Sequence, residues 1–195
     1  MIRIHSLYGD ELVPHLAALA ALRVEVFREF PYLYQGSIEN EAKYLRGYGA
    51  SPQSLVVLAQ DGEEVVGAST AMPATAHTDE VGPVLAAAGY DASKVYYYGE
   101  SVLRASYRGR GLGRAFMDAR EAAARRFGFT TAAFCAVVRP ADHPARPSGY
   151  APLDAFWQRC GFVRRPDIVT QFEWLDVGDD APSPKALVFW LKELG

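Results

Sequence analysis

A short stretch of the chain, SVLRASYRGRGLGRAF (residues 101–116), sets three glycines and four arginines between an apolar segment and a helix-like pattern. Glycines let consecutive backbone N–H groups converge on an anion. A helix beginning at about Gly113 adds unpaired N–H groups and the positive end of its dipole. Arg108, Arg110 and Arg114 place positive charge around the rim. The stretch therefore predicts a pyrophosphate-binding loop rather than a plain strand–helix turn, which would not need the arginines.

Two familiar nucleotide-binding loops do not fit this stretch. A Walker A loop requires Gly-x4-Gly-Lys-Ser/Thr, and no such run occurs in the chain. A dinucleotide fingerprint requires Gly-x-Gly-x-x-Gly after the first strand, but the sixth position counted from Gly109 is Arg114, and counted from Gly111 it is Phe116. The pattern that remains is Arg108-x-x-Gly111-x-Gly113, between a strand and a helix in the middle of the chain.

The elements that position this loop follow from hydrophobic periodicity. VYYYGESVL (95–103) is a strand by composition, a helix is predicted over Gly113–Phe127, and TTAAFCAVV (130–138) is the next strand. Before them come a strand in residues 1–7, a helix from Glu11 to Phe30 that Pro31 ends, and a second helix over Ile38–Tyr48.

The remaining segments complete an alternating order of strands and helices. Asp61-Gly62 predicts a type I′ hairpin between two β-branched runs, and residues 73–93 read as a long loop or a short helical excursion. Residues 139–152 form a proline-rich loop, a short helix spans Leu153–Cys160, and residues 171–177 and 185–194 are closing strands. The order β-α-α-β-β-β-α-β-α-β-β predicts one mixed α/β domain around a single sheet, covering residues 1–195.

Composition limits the classes of function. The chain has 195 residues and a net charge of −3, which argues against a nucleic-acid-binding protein because such proteins carry a large basic surplus. Cys135 and Cys160 lie far apart without histidine-rich neighbours, so neither a metal site nor a disulfide framework is expected. Without a signal peptide or an apolar run of about 18 residues, no membrane association is expected, and we expect a cytoplasmic location.

Two segments together resemble one family. VYYYGESVLRASYRGRGLGRAFMDAREAAARRFGF (95–129) and LDAFWQRCGF (153–162) resemble the two signatures of the GNAT superfamily of acyl-CoA-dependent N-acyltransferases. The order of elements is similar from Met1 to about Leu194. The resemblance implies the GNAT fold, a central mixed sheet with two splayed parallel strands flanked by helices, and acetyl-CoA as acyl donor without a metal ion.

The resemblance also assigns the donor-binding residues by position. Ser101, Val102 and Leu103 would hydrogen-bond the pantetheine arm as an added strand. The backbone of Gly109, Arg110, Gly111, Leu112, Gly113 and Arg114 would hold the pyrophosphate, with Arg108 at the rim.

The function that the resemblance implies is acetyl transfer from acetyl-CoA directly to an amine, either a small molecule or a peptide. A second reading is a GNAT-like domain that binds an acyl-CoA for sensing or structure without turnover. Homodimers are common in the family. The aromatic closing strand ALVFWLKEL (186–194) is a candidate interface, although packing in its own core is the simpler role.

The catalytic residues are less well marked. Many relatives use a tyrosine in the second signature to protonate the leaving thiolate, and Trp157 stands at that position. Tyr150 and Cys135 are the candidate replacements, although Cys135 is also explained as a small buried apolar side chain. Glu100 is the candidate base. Relatives with a glutamate in this strand often keep it at the position of Tyr97, so Glu100 would face the same side only if a bulge lies around Gly99. Without a bulge, Glu100 would face the other side as a paired structural charge.

The acceptor site is expected beside the end of the first helix. Phe30, Tyr32 and Tyr34 are candidates for its wall, since the two tyrosines lie beyond the helix and have no periodic reason to be buried. His143, beside Asp142 in the proline-rich loop, is a candidate for proton removal or a solvated loop residue. His5, His15 and His77 are expected at the surface.

Overall fold

Seven strands form one mixed sheet in the computed structural model, which describes residues 1–77 and 80–195. The strand order is β1-β2-β3-β4-β5-β7-β6. All neighbouring pairs are antiparallel except β4 and β5. The strands are β1 (Ile2–Tyr8), β2 (Leu55–Asp61), β3 (Glu64–Pro73), β4 (Val95–Leu103), β5 (Thr131–Val137), β6 (Val163–Trp174) and β7 (Ser183–Glu193).

Helices cover both faces of the sheet. α4 packs on one face against Tyr96 and Tyr98 of β4, and α1 and α2 pack on the opposite face against β2 and β3. This arrangement confirms the predicted fold class, a mixed sheet flanked by helices. The helices are α1 (Leu16–Phe27), α2 (Ile38–Ala50), α3 (Gly82–Ala87), α4 (Leu112–Arg126) and α5 (Asp154–Arg159).

The first helix is shorter than predicted at both ends. Residues Gly9–His15 form a 3₁₀ helix that contains Pro14. Because proline has no N–H to donate and disfavours helical geometry in the residue before it, the regular helix begins only at Leu16. The same effect of Pro31 on Phe30 keeps the helix from reaching the predicted end, and it stops at Phe27.

One turn and one strand also differ from the sequence predictions. The hairpin between β2 and β3 exists, but Gly62 and Glu63 are its central residues and only Gly62 has a positive φ, at 62°. That pattern belongs to a type II′ turn, so the predicted type I′ turn is wrong. β6 begins at Val163, before the predicted residue 171, because an irregularity between Arg165 and Val169 accommodates Pro166 in the strand.

The predicted loop at 73–93 contains α3 and two short 3₁₀ segments, and its residues 78 and 79 lie outside the described residues. β7 lies between β5 and β6 in the sheet, and Leu187 to Leu191 are buried. This confirms a core role for the closing strand. In the part of the chain that the structure describes, no helix has both the length and the apolarity to cross a membrane.

β4 and β5 separate soon after they meet. Their parallel register covers Val95–Tyr97 of β4 and Thr131–Ala133 of β5. Beyond Tyr97, the described pairing of β4 is with β3 alone. The expected splay between the two parallel strands is confirmed, and it leaves one edge of β4 available to a ligand.

A β-bulge in β4 decides which side chains face the α1–α2 side. The register with β3 passes from Ala71↔Tyr98 to Ser69↔Ser101, so Gly99 and Glu100 both lie opposite Thr70. The extra residue places Glu100 on the same face as Tyr97. Gly99 is required here, because a Cβ atom would collide with the Tyr48 hydroxyl and with Thr70 Oγ1. The bulge that the sequence suggested around Gly99 is confirmed.

Candidate functional site

The splayed half of β4 and the loop after it form a continuous backbone surface. Ser101, Val102 and Leu103 pair through one edge with β3 residues Gly67–Ser69. Val102 is buried, Leu103 is half-buried and Ser101 is exposed. The other edge of the strand faces the gap toward β5, and an extended ligand could add to it by main-chain hydrogen bonds.

The glycine-rich loop has the backbone geometry that an anion cradle requires. Gly109 has φ of 75° and Gly111 has φ of 83°, a conformation that L side chains rarely adopt. Gly111 is the N-cap of α4, whose first turn directs unpaired N–H groups outward. A Cβ atom at Gly109 or Gly111 would meet nothing within 4 Å. The space above these backbone atoms is therefore open to a phosphate.

The three arginines of this loop have neighbours on the protein surface. Arg108 donates through Nε to the Leu103 carbonyl at 3.0 Å and pairs with Glu29 at 2.7 Å. Arg114 pairs with Asp118 at 2.8 Å, and Arg110 lies over the Tyr107 ring at 5.0 Å. The Arg108 contact joins the loop to the end of β4, so Arg108 fixes the loop's position as well as adding charge.

A cavity of about 280 Å³ lies beside the splay on the α1–α2 side of the sheet. Its wall contains residues from α1, α2, β4, β5, β6 and β7 and from the segments after α1 and β3. The residues that line it are Arg23, Phe27, Tyr32, Tyr34, Asn40, Glu41, Tyr44, His77, Tyr97, Gly99, Glu100, Cys135, Phe172, Glu173, Trp174 and Leu187.

A buried group of three charges forms one wall of this cavity. Arg23 on α1 contacts Glu41 on α2 through Nε and Glu100 on β4 through Nη1. The side chains of all three are at most 10% exposed. Two carboxylates share one guanidinium here, and buried charges are tolerated in proteins when they are paired in this way.

Hydroxyl groups continue the buried group of three charges as a chain of hydrogen bonds. The Tyr44 hydroxyl donates to Glu100 Oε2 at 3.4 Å and lies 3.3 Å from His77 Nε2. Thr70 receives the Glu100 backbone N–H at 3.1 Å, which fixes the bulged residue in place. The Arg23 guanidinium also lies over the Tyr44 ring at 4.7 Å. These contacts hold the Glu100 carboxylate in one orientation at the cavity wall.

His77 is half-buried in this wall, so the expectation of a surface position is wrong. Burial lowers the pKa of His77 from 6.5 to about 4; Glu80 acts in the opposite direction and Arg23 lowers the pKa further. The imidazole is therefore neutral at neutral pH and can accept or donate a hydrogen bond in the cavity.

The lowered pKa of His77 should make stability depend on pH. Between about pH 6.5 and about pH 4 the unfolded chain binds a proton that the folded chain does not, so stability falls as pH falls through this window. At about pH 5, His77 should account for about 2 kcal/mol of lost stability relative to pH 7. Urea unfolding at both pH values should show this much less pH dependence in His77→Gln than in the wild type. His143→Gln is the matched control, and an unchanged pH dependence in His77→Gln would contradict the assignment.

Tyr97 and Cys135 meet where β4 and β5 separate. The Tyr97 hydroxyl lies 3.0 Å from Cys135 Sγ, and both side chains are buried in the cavity wall. Burial raises the pKa of the Cys135 thiol to about 12 and that of Tyr97 well above its usual range. Both groups keep their protons at neutral pH, so they are hydrogen-bond donors and not nucleophiles.

The segment after α1 carries the two tyrosines into the cavity and is fixed by Arg139. This buried guanidinium donates to the Pro31 carbonyl at 2.8 Å, to the Tyr32 carbonyl at 2.7 Å and to both oxygens of Asp176 at 2.6 and 2.9 Å. Trp174 Nε1 also donates to the Tyr32 carbonyl at 3.1 Å. Arg139 therefore positions the Tyr32 ring without touching the cavity.

Arg139→Lys should loosen this segment while keeping the positive charge beside Asp176. A lysine ammonium lacks the planar fork that reaches two carbonyls and a carboxylate together, so the cavity wall loses its fixed position. We expect KM for any molecule bound in the cavity to rise roughly fivefold, with ligand binding at the glycine loop unchanged. Arg165→Lys, at the surface pair with Asp167, is the control. Equal effects of the two variants would rule out the positioning role.

The remaining predicted residues do not lie together with the cavity. Phe30, His143 and Tyr150 form a separate half-buried cluster, with ring centroids 4.7 Å apart for Phe30 and Tyr150 and 5.7 Å apart for Phe30 and His143. They do not line the cavity, whereas Tyr32, Tyr34, Cys135 and Glu100 do. Trp157 on α5 packs against Phe134 and Trp190 at 5.0 and 5.1 Å.

The sequence predictions missed Arg23, Glu41, Tyr44, Tyr97 and His77 as site residues. Arg23 did carry a signal: it follows Leu19 by four residues, on the apolar stripe of the first helix, where a charge needs a buried partner. Its partners come from α2 and β4, which periodicity cannot bring together. Among the described residues, no group of three or more His, Cys, Asp or Glu side chains is arranged to hold a metal ion.

The arrangement as a whole joins two functions along one strand. The free edge of β4 leads from the glycine-rich loop to a cavity that contains a carboxylate pair and buried hydroxyl donors. Such a site can hold a long phosphorylated molecule by its backbone contacts and present its far end to a second molecule in the cavity.

Comparison with known proteins agrees with this geometry. Residues 18–162 match the model of the acetyltransferase (GNAT) family. No curated protein matches the chain in sequence.

Solved structures share the fold at low sequence identity. An N-acetyltransferase from Staphylococcus aureus Mu50 has a TM-score of 0.63 at 14% identity, covering 100% of this chain and 99% of its own. A ribosomal-protein-alanine N-acetyltransferase from Brucella melitensis has a TM-score of 0.61 at 16% identity, covering 99% of both chains. The PaiA N-acetyltransferase from Thermoplasma acidophilum, in complex with coenzyme A, has a TM-score of 0.57 at 12% identity and covers 99% of both.

Proposed function

The chain belongs to the GNAT acetyltransferase family, and on that premise we propose that it transfers the acetyl group of acetyl-CoA directly to an amine bound in the cavity. The observation that carries the proposal is the position of β4 between the glycine loop and the cavity. Its free edge links the open glycine loop at one end to the Glu100 carboxylate at the cavity wall.

The residues present fit acetyl-CoA. The backbone N–H groups from Gly109 to Arg114 would hold the pyrophosphate, since Gly109 and Gly111 have positive φ and open space above them. Ser101 to Leu103 would hydrogen-bond the pantetheine arm through the edge of β4 that faces the splay. When bound, acetyl-CoA supplies an activated acyl carbon, whose transfer forms a C–N bond, breaks the C–S bond and leaves CoA as the thiol.

Glu100 has the position and the charge to act on the amine. An amine arrives mostly as its ammonium form at neutral pH and must lose a proton before it can react. The Glu100 carboxylate lies at the cavity wall, held by Arg23, Tyr44 and Thr70. It would bind the ammonium group, accept its proton and pass the neutral amine to the acyl carbon.

The departing sulfur needs a hydrogen-bond donor, and Trp157 does not supply a phenol. Tyr97 and Cys135 place protonated donors at the splay, on the cavity side of the parallel strands. Tyr97 is thus a third candidate beside Cys135 and Tyr150. Tyr150 lies in the Phe30 cluster rather than in the cavity wall, so it would act only on a sulfur positioned outside the cavity.

Free-thiol release from acetyl-CoA with a panel of amines tests the proposal, together with calorimetric binding of acetyl-CoA. Binding with amine-dependent thiol release is the expected result. Trp157 favours a second candidate, an acyl-CoA-binding domain without turnover, because a tryptophan packed against Phe134 replaces the usual acid. Binding without turnover across the panel would select that second function, and absence of binding would overturn both.

Tyr32→Ala and Tyr34→Ala should impair the acceptor and not the donor. Both rings line the cavity. The centroid of the Tyr32 ring lies 4.7 Å from that of Phe27 in a tilted pair and 6.0 Å from that of Trp174 in a stacked pair. Removing either ring takes away one aromatic wall, so KM for the amine should rise about tenfold while the Kd of acetyl-CoA stays unchanged. Tyr90→Ala removes a ring that lies outside the cavity and is the control. Unchanged kinetics in both variants would contradict the location of the acceptor site.

A further inference from the structure

The charges in the cavity wall do not balance. By formal charge, Arg23 contributes one positive charge and Glu41 and Glu100 one negative charge each, so two carboxylates face a single guanidinium and the buried group has a formal charge of −1. His77 adds no positive charge, because its pKa lies at about 4. The further ionised group in the described lining is Glu173, an exposed carboxylate at the rim. A bound cation would therefore complete the charge balance.

Aromatic rings surround this negative group. The lining contains the rings of Phe27, Tyr32, Tyr34, Tyr44 and Trp174. The Arg23 guanidinium lies over Phe27 at 5.0 Å and over Tyr44 at 4.7 Å, so it does not cover the rings of Tyr32, Tyr34 and Trp174. Such rings attract an organic cation through their negative faces and pack against an apolar body. Gly36 leaves room for this wall, since a Cβ atom there would collide with the Tyr34 ring.

The volume of the cavity limits the size of the acceptor. At about 280 Å³ it lies just below the range of small-molecule sites, which runs from about 300 to about 1,000 Å³. A folded protein surface or a long peptide could enter only by its terminal group. The cavity is partly open to solvent, and its volume suits a molecule of the size of a single amino-acid side chain with its amine.

We propose that the acceptor is a small monoamine with an apolar or aromatic body and no carboxylate, whose ammonium group sits between Glu100 and the surrounding rings. This inference rests on the proposed acetyl transfer, because it concerns the second substrate of the same site. The proposal distinguishes two classes of amine that carry the same apolar group. Simple amines match the negative charge of the cavity, whereas amino acids bring a carboxylate into it.

The reason for the discrimination lies in Arg23. This guanidinium is the positive charge of the described lining, and it is already shared between Glu41 and Glu100. A carboxylate on the ligand would have to compete with both for it. In a buried site, a third carboxylate close to two others is repelled strongly enough to weaken binding by about 100-fold or more.

The test compares two amines that differ by one carboxylate, 2-phenylethylamine and phenylalanine. The kcat/KM of thiol release from acetyl-CoA should be at least about 100-fold higher for 2-phenylethylamine. Binding of each amine to the CoA-loaded protein, followed by intrinsic fluorescence with Trp157→Phe and Trp190→Phe in place so that Trp174 at the cavity wall is the emitting tryptophan, gives a second readout that needs no turnover. The same preference is expected in that measurement.

A variant pair connects the preference to the buried charges. Glu41→Gln makes the net charge of the group zero and should reduce the preference about tenfold or more. Asp167→Asn changes the charge of the whole protein by the same amount, at a surface pair with Arg165, and should leave the preference unchanged.

The outcomes separate this inference from the proposed function. Phenylalanine bound and acetylated within about tenfold of 2-phenylethylamine would overturn the inference while acetyl transfer stands. Failure of both amines to bind would also overturn it, with the wider amine panel deciding on transfer. Selective binding of 2-phenylethylamine without turnover would support the amine site and count against catalysis.

Discussion

Gly111→Val is expected to raise the Kd of acetyl-CoA by about 100-fold and to abolish turnover at ordinary donor concentrations. Gly111 holds φ of 83° immediately before α4, where β-branched residues are strongly disfavoured. To relieve the strain, valine would move the backbone toward a negative φ. That change would turn the N–H groups of the loop away from the point on which they converge. Calorimetric titration with acetyl-CoA measures the effect directly.

Gly128→Val is the matched control for this prediction. Gly128 follows the other end of α4, has φ of 80° and likewise has no atom within 4 Å of a Cβ position. Both variants should lose a similar amount of stability, about 1–2 kcal/mol from the left-handed conformation. Only Gly111→Val should lose affinity for acetyl-CoA. Comparable Kd values for the two variants would show that the loop is a turn and not a binding site.

The loop and the strand before it were predictable because their signals are local. Glycines with arginines before a helix predict an anion site whatever the rest of the fold does, and the VYYYGESVL composition predicts a strand. The β-bulge was foreseeable for the same reason. Gly99 is the one residue of β4 that lacks a side chain, and its position decides whether Glu100 faces the cavity.

The cavity was not predictable, because its wall depends on long-range packing. Arg23, Glu41 and Glu100 come from three different elements and lie 18 or more residues apart in the chain. His77 follows β3 in a segment rich in small residues, and nothing in that segment indicates that the ring packs 4.6 Å from Tyr97. Single-sequence patterns report which residues share a face, and they do not report which faces meet.

The packing around Trp157 explains why a tryptophan fits at the position where relatives have a tyrosine. Its indole fills the space between Phe134 and Trp190 behind the sheet, where a hydroxyl would be poorly placed. The donors that remain near the splay, Tyr97 and Cys135, come from the strands themselves. We infer that proton donation in this chain depends on the strand pair more than on α5.

Glu100→Gln is expected to lower kcat for amine acetylation by about 10²- to 10³-fold, with little change in the Kd of acetyl-CoA. The amide has the same shape and can still accept from Tyr44, but it has no negative charge and cannot take a proton from an ammonium group. The loss should shrink as pH rises toward about 10, because the amine then loses its proton to solvent before it binds. Thiol release measured across pH in the wild type and the variant tests both statements.

Glu41→Gln separates proton removal from simple loss of charge. It removes one negative charge from the same Arg23 group, yet it leaves the Glu100 carboxylate on β4 in place. We therefore expect Glu41→Gln to raise KM for the amine and to leave kcat within about threefold, whereas Glu100→Gln lowers kcat. Thermal unfolding of both variants checks that the loss of one of the two carboxylates around Arg23 has not unfolded the site. If the two variants lower kcat equally and at every pH, Glu100 acts only through the charge of the cavity, and the base must be sought at His77.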